Sequence, residues 1–252
     1  GEVLRKLFFF YQIFSFDFHI CFSFKKLSYF VDLVYRFQGK NAILNDRMAI
    51  KQRAGSKANM SIREEFFMSK KVYIFLADGF EDIEGLTVVD LMRRADIDIK
   101  TVSIKESKEI TTSHGISMLT DLVFVETDFS DADMLVLPGG MPGTKYLNEY
   151  QSLRDLLADF YRKGGKVAAI CAAPTVFASL GFLEGRKATA YPSCMDGLAG
   201  AERSLESVVV DGNVTTSRGL GTAVDFALSL IGQLLGEKKA DEIAESVVYS
   251  RK

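Results

Sequence analysis

Three short runs, residues 72–76, 134–137 and 167–170, contain only apolar and aromatic side chains, and they constrain the fold more than any other feature of the chain. A strand with one wet face alternates polar and apolar residues. Uninterrupted runs of this length belong to strands covered on both faces, as in a parallel sheet sandwiched by helices. Helical patterns lie between and after these runs. Residues 81–94 open with Glu81, Asp82 and Glu84, where acids suit the helix dipole. In 152–163, Leu153, Leu156, Leu157, Phe160 and Tyr161 recur at helical spacing, with Ser152 as the expected cap and Gly164-Gly165 as the stop. Pro174 opens a helix over 174–180, and two further helices are expected over 222–235 and 238–247. Residues 99–104 add a strand, and 208–216 read as a hairpin around Asp211-Gly212. Strands alternating with helices predict an α/β, doubly wound, mostly parallel sheet with helices on both faces. Sites in such sheets form at the carboxyl ends of the strands. Three of these ends carry candidates: residues 78–84, Gly139-Gly140 and Cys171.

That pattern begins at Met68. Before it, twelve of the twenty Phe of the chain crowd into residues 1–67, many in one run from Phe8 to Phe24. Asp17, His19, Lys25 and Lys26 interrupt the run, so it does not read as a membrane span. Residues 42–65 are polar and patternless, as in a disordered segment. Arg63-Glu64-Glu65 can be encoded by a purine-rich stretch resembling a bacterial ribosome-binding site, and Met68 follows shortly after. The expectation is therefore a non-domain extension over 1–67, disordered or translated upstream sequence, and one domain over 68–252.

Charge separates the two parts. Residues 1–67 hold 11 Lys+Arg against 6 Asp+Glu, and residues 68–252 hold 20 against 27. An acidic domain lacks the clustered basic side chains of a nucleic-acid footprint, so small molecules or proteins are the expected partners. Three cysteines, Cys21, Cys171 and Cys194, with no CxxC spacing argue against a disulfide framework or a zinc site and suit a reducing, cytoplasmic setting. The two histidines, His19 and His114, form no ligand-spaced pair, so no structural metal is expected.

The chemistry centres on Ile170-Cys171-Ala172-Ala173-Pro174, where a strand runs directly into a helix with a nucleophile at the junction. Small neighbours permit the strained elbow such a site needs. Backbone amides and a helix start are expected to favour thiolate at Cys171; the plainer alternative is a buried, inert cysteine. Gly139 and Gly140 can bring backbone N–H groups close to an oxyanion, or simply make a turn. Glu84 follows the first strand. Beside a thiolate it would be held protonated by burial and like charge and could shuttle a proton; a lone Glu in a first helical turn is more commonly solvated. His114, in Ser113-His114-Gly115, reads as a loop residue facing solvent or a partner subunit's site.

Four segments in order, Ala77-Asp78-Gly79-Phe80-Glu81-Asp82-Ile83-Glu84, Leu137-Pro138-Gly139-Gly140, Ala168-Ala169-Ile170-Cys171-Ala172-Ala173-Pro174 and Thr216-Ser217-Arg218-Gly219-Leu220-Gly221-Thr222, together resemble the ThiJ/PfpI superfamily. The resemblance lies with the branch of the Parkinson-disease protein deglycase and its bacterial YajL-type relatives, and it covers residues 69–250 and none of 1–67. It implies a flavodoxin-like fold of the class I glutamine amidotransferase type, and a homodimer with Asp90, Arg93 and Arg94 on the interface helix. It assigns Cys171 as nucleophile and Glu84 as its buried acid, with Gly140 and Ala172 as backbone donors.

The departures are informative. Tyr191-Pro192 stands where the Parkinson-disease branch has a His before Pro, which removes one general base. Ala172 stands where the protease branch has a His, which argues against a Cys-His peptidase. Cys194 could resolve a sulfenate on Cys171, or simply pack. The resemblance thus implies a cofactor-independent, cysteine-dependent enzyme acting on reactive α-oxoaldehydes or early glycation adducts. The alternative is a redox-sensing, chaperone-like stress protein using the same sulfur, with an inactive structural dimer as the bland reading.

Overall fold

The computed structural model describes residues 69–251. The expectations for residues 1–67, including disorder and the aromatic run, lie outside them. Strand β1 (Lys71–Leu76) leads into helix α1 (Asp82–Arg94), β2 (Asp98–Ser103), a small hairpin β3 (Glu109–Thr111) and β4 (Ser117–Leu119), β5 (Leu122–Val123) and β6 (Met134–Leu137). Helices α2 (Gly143–Glu149) and α3 (Gln151–Arg162) then precede β7 (Lys166–Ile170) and α4 (Pro174–Ser179). The chain finishes with β8 (Lys187–Ala188), β9 (Glu202–Arg203), the hairpin β10 (Val208–Asp211) and β11 (Val214–Ser217), and helices α5 (Ala223–Leu235) and α6 (Glu237–Ser246).

Seven strands form the central sheet in the order β10-β11-β7-β6-β1-β2-β5. All its pairs are parallel except the β10–β11 hairpin. The apolar runs behave as their composition requires. Val72, Ile74 and Leu76 of β1 pack on one face, against a core shared with α1, α5 and α6. Tyr73 and Phe75 pack on the other face, with side chains of α2, α3 and α4. Because side chains alternate across the sheet, a strand buried on both faces needs apolar residues at every position. The outcome is the doubly wound architecture expected. Burying β1, β6 and β7 at the centre also places their carboxyl ends side by side, since their registers are parallel and adjacent.

One local expectation needed correction. Ser152 does not cap α3; Tyr150 occupies that position without a side-chain cap, because it ends α2 and starts α3 at once. The β3–β4 hairpin and α2 were not anticipated. Each strand of that hairpin has three residues, too short for periodicity to register. Helix α2 opens with Gly143 after Pro142 and buries only Gly143, Thr144 and Leu147, so its apolar stripe is faint.

Candidate active site

Cys171 sits between β7 and α4 with φ of 66°, in the left-handed region that a side-chain-bearing residue enters at a cost. The turn is held on both sides. Its N–H donates to Ser217 O at 2.9 Å, and its carbonyl accepts from Tyr191 N at 2.9 Å. The surrounding structure therefore imposes the strained conformation and tips the thiol out of the sheet, leaving it half-buried. The helix beyond has only six residues, so the elbow relies less on a long helix dipole than on individual amides. The backbone N–H groups of Gly140 and Ala172 lie close enough to favour the charged form of the sulfur.

Glu84 comes from the first turn of α1. It is not the solvated helix acid that its position suggested: it is 1% exposed. The side chain of Glu81 caps the helix by accepting from Glu84 N at 2.8 Å. This anchors the turn and sends the Glu84 side chain inward. Its carboxylate accepts from Gly139 N at 3.1 Å, and Leu220 N and the Cys171 thiol lie close enough to favour its charged form. Gly139 has no room for a side chain. A Cβ there would stand 2.5 Å from both Cys171 Cβ and Glu84 Oε2. Gly140 has φ of +93°, and a Cβ would meet Glu81 N at 2.3 Å. The glycine pair is thus required for close approach of backbone, acid and thiol, and is more than a turn.

The electrostatics depart from the expected thiolate. Burial first, with Glu81 and its like charge behind it, pushes Glu84 up to about 7. Burial and the Glu84 carboxylate push Cys171 up to about 12, against the opposing pull of the Gly140 and Ala172 amides. Two acids this close lose protons as a pair. The first proton leaves near neutrality and comes from Glu84, which leaves the thiol protonated beside a carboxylate that can take its proton. Stripping the second proton would place two negative charges together in a dry site. The thiolate is available, but only while Glu84 holds the remaining proton.

The other candidates fall at different distances from this centre. Tyr191, about half exposed, stands over Gly219, where a Cβ would lie 3.2 Å from its ring and 3.5 Å from Glu84 Oε1. It forms an aromatic wall, not a base. His114 does not reach the thiol; its Nδ1 lies 2.5 Å from Asp82 Oδ2. Cys194 packs with the opposite layer of the core from Cys171, which favours a packing role. Ser217 and Leu220 also shape the site and were not singled out from sequence, and Glu81, read there only as an acid of the first helical turn, caps that turn. Ser217 and Leu220 act through the backbone, which hides such roles from a reading of side chains. A groove of about 740 Å³ opens elsewhere, between residues 127–133 and 156–166, near the amino ends of β6 and β7, and takes no part in this centre.

A doubly wound α/β domain with a strained cysteine at a strand-to-helix elbow and a buried acid on its sulfur is a defined class of protein. Residues 70–233 match the DJ-1/PfpI family, and the chain belongs to that family. It is 36% identical over 185 residues to protein dj-1beta of Drosophila melanogaster, covering 73% of this chain and 99% of the fly protein. The crystal structure of Drosophila melanogaster DJ-1beta superimposes with a TM-score of 0.71 at 35% identity, over 73% of this chain and all of that one. Protein DJ-1 homolog B of Arabidopsis thaliana is 38% identical over 182 residues, 71% of this chain and 42% of the plant protein, so the chain spans less than half of that relative. A Thermococcus kodakarensis protein named as a deglycase is 38% identical over 151 residues, 59% of this chain and 89% of its own length.

Proposed function

We propose that the protein is a cofactor-independent enzyme that uses Cys171 and Glu84 to convert reactive α-oxoaldehydes such as methylglyoxal to 2-hydroxy acids, with early glycation adducts as related substrates. The observation that carries this reading is the buried Glu84, held by Gly139 N and packed against the half-buried Cys171, so close that one side chain at Gly139 would strike both. The kinship with a protein named as a deglycase supports it.

The chemistry balances without an external oxidant. The Cys171 sulfur adds to the aldehyde carbon while its proton passes to Glu84, and the Gly140 and Ala172 amides stabilise the new oxyanion. Glu84 hands that proton to the oxyanion, which gives the hemithioacetal and frees its carboxylate; it then takes the proton of the former aldehyde carbon and delivers it to the adjacent carbon by way of an enediol. The first carbon is oxidised to a thioester as its neighbour is reduced to an alcohol. Water cleaves the thioester, releasing lactate and restoring the thiol. Tyr191 offers an aromatic wall to the substrate instead of a second base.

The test is lactate formation from methylglyoxal by the purified protein without added cofactor, with Cys171→Ala as control. Expected is turnover that falls to background in the variant. Lactate formation surviving in Cys171→Ala would sink the mechanism. No lactate from the wild type, together with a selective gain of two oxygens on Cys171 after mild peroxide, would replace it with the redox-sensing reading.

A homodimer is the second part of the proposal. On and beside α1, Ile83 and Leu86 are exposed, and Val248 is 95% exposed. A groove lined by Leu86, Asp90, Arg94, Val224, Val247 and Tyr249 adjoins them. Apolar side chains gathered this way suit contact with a second copy. Sedimentation velocity should give the dimer mass; a monomer at micromolar concentration removes this part. Among the described residues no helix is long and apolar enough to cross a membrane. A cytoplasmic location remains part of the proposal, testable by fractionating cells that express the tagged protein.

A further inference from the structure

The first turn of α1 carries a second set of chemistry-bearing groups beside the Cys171–Glu84 pair. Glu81, Asp82 and His114 each present a ligand-type atom, and these atoms lie within 4.8 Å of one another. Two come from adjacent positions at the helix start. The third comes from the turn between β3 and β4, which folds back over that start: Gly79 N donates to Thr111 O at 2.7 Å, and Ser113 N donates to Phe80 O at 2.8 Å. His114 Nδ1 thereby stands 2.5 Å from Asp82 Oδ2 and 4.0 Å from Glu81 Oε1.

Acids at a helix start have an ordinary explanation, and it accounts for half of this cluster. Glu81 Oε2 is the cap, and Asp82 Oδ2 pairs with His114. The other two oxygens are unexplained. Glu81 Oε1 and Asp82 Oδ1 are buried and find no hydrogen-bond partner among the described residues. The Asp82 side chain is 7% exposed and that of Glu81 12%. Buried carboxylate oxygens are nearly always paired, because an orphaned one forfeits its hydration without return. Here two orphans belong to neighbouring carboxylates of like charge, within reach of a histidine ring that is 68% exposed. The missing partner must be positive, small enough to touch both acids, and able to accept an imidazole nitrogen. Water is small enough and can reach the imidazole, but it brings no charge to offset the two carboxylates.

We propose that Glu81, Asp82 and His114 form a binding site for a first-row divalent cation, with zinc as its probe. Two carboxylate oxygens and one imidazole nitrogen are a borderline donor set that suits zinc better than magnesium or calcium, which prefer oxygen throughout. Water would complete the coordination on the exposed side of His114. The two carboxylates outweigh the opposing field of the helix start, which half a unit of positive charge represents at most. The inference does not depend on the aldehyde chemistry, since none of the three ligands touches the sulfur.

The decisive experiment removes competing thiols. With Cys21, Cys171 and Cys194 all replaced by serine, calorimetric titration with zinc chloride should show one equivalent bound per chain. His114→Ala should weaken that binding by at least about tenfold, the lower end of what even an outer partner of a metal ligand contributes. His114 is largely exposed, so this variant should keep its fold, which circular dichroism checks. Cobalt as a substitute should broaden or shift the His114 ring resonances in the NMR spectrum of the thiol-free protein. Equal zinc affinity with and without His114, or no zinc binding by the thiol-free chain, overturns the site.

Discussion

Glu84→Gln should lower kcat/KM for methylglyoxal by about 10²- to 10⁴-fold, the range ascribed to a single positioned acid–base group. The amide has nearly the shape of the carboxyl group and can still accept from Gly139 N, so geometry is largely kept. What it cannot do is take a proton. In the wild type, the Cys171–Glu84 pair loses its first proton near the value of about 7 to which Glu84 is raised. The resulting monoanion is the attacking form, because it holds a thiolate and a protonated acid in one of its arrangements. Wild-type kcat/KM should therefore rise with pH through about 7. The variant should lose that rise, since its thiol must shed a proton to solvent from a buried position. A pH profile of kcat/KM for both proteins checks the point. An unchanged inflection in Glu84→Gln would mean that some other group supplies it, and Glu84 would then only position the sulfur.

This assignment bears on what the chain's residues disclose before folding. The sheet was legible because β1, β6 and β7 are buried on both faces and carry apolar residues without a break. Cys171 was legible because a cysteine between an apolar run and a proline implies an elbow, and its φ of 66° agrees. Glu84 was legible only through the family pattern. One residue in a first helical turn does not reveal whether it faces water, and it is the cap by Glu81 and the packing of α1 on the sheet that turn it inward. The charge state of the thiol was misjudged for a related reason. Amide donors can be inferred from glycines near a strand end, but burial depends on everything packed around the sulfur, and here burial leads. The Glu81–Asp82–His114 cluster stayed hidden because its members are 32 residues apart along the chain and meet only through a short hairpin with no periodic signature.

The same glutamine should make the protein more stable while it makes it a poorer catalyst. Glu84 titrates at about 7 in the folded chain against 4.5 for its ordinary value. Between those values the folded state holds a proton that the unfolded state has given up. The stability linked to this proton is complete below about pH 4.5 and is lost as pH rises through about 7. A displacement of that size is worth about 3 kcal/mol once titration is complete. Glutamine has no proton to lose and escapes the penalty. It leaves one of the Gly139 and Leu220 amides without a good acceptor, which returns roughly 1 kcal/mol. The net gain should be about 2 kcal/mol at pH 8, or roughly 4–8 °C in Tm for a domain of this size. The sign of the pH dependence is the sharper test. The Tm difference between variant and wild type should grow steadily from pH 5 to 7.5 and then level off, since above that range the acid is already ionised. Thermal unfolding across this range decides it. A Tm difference independent of pH would show that Glu84 is ionised at little cost in the native fold, and the shared-proton account of the Cys171 site would fall with it.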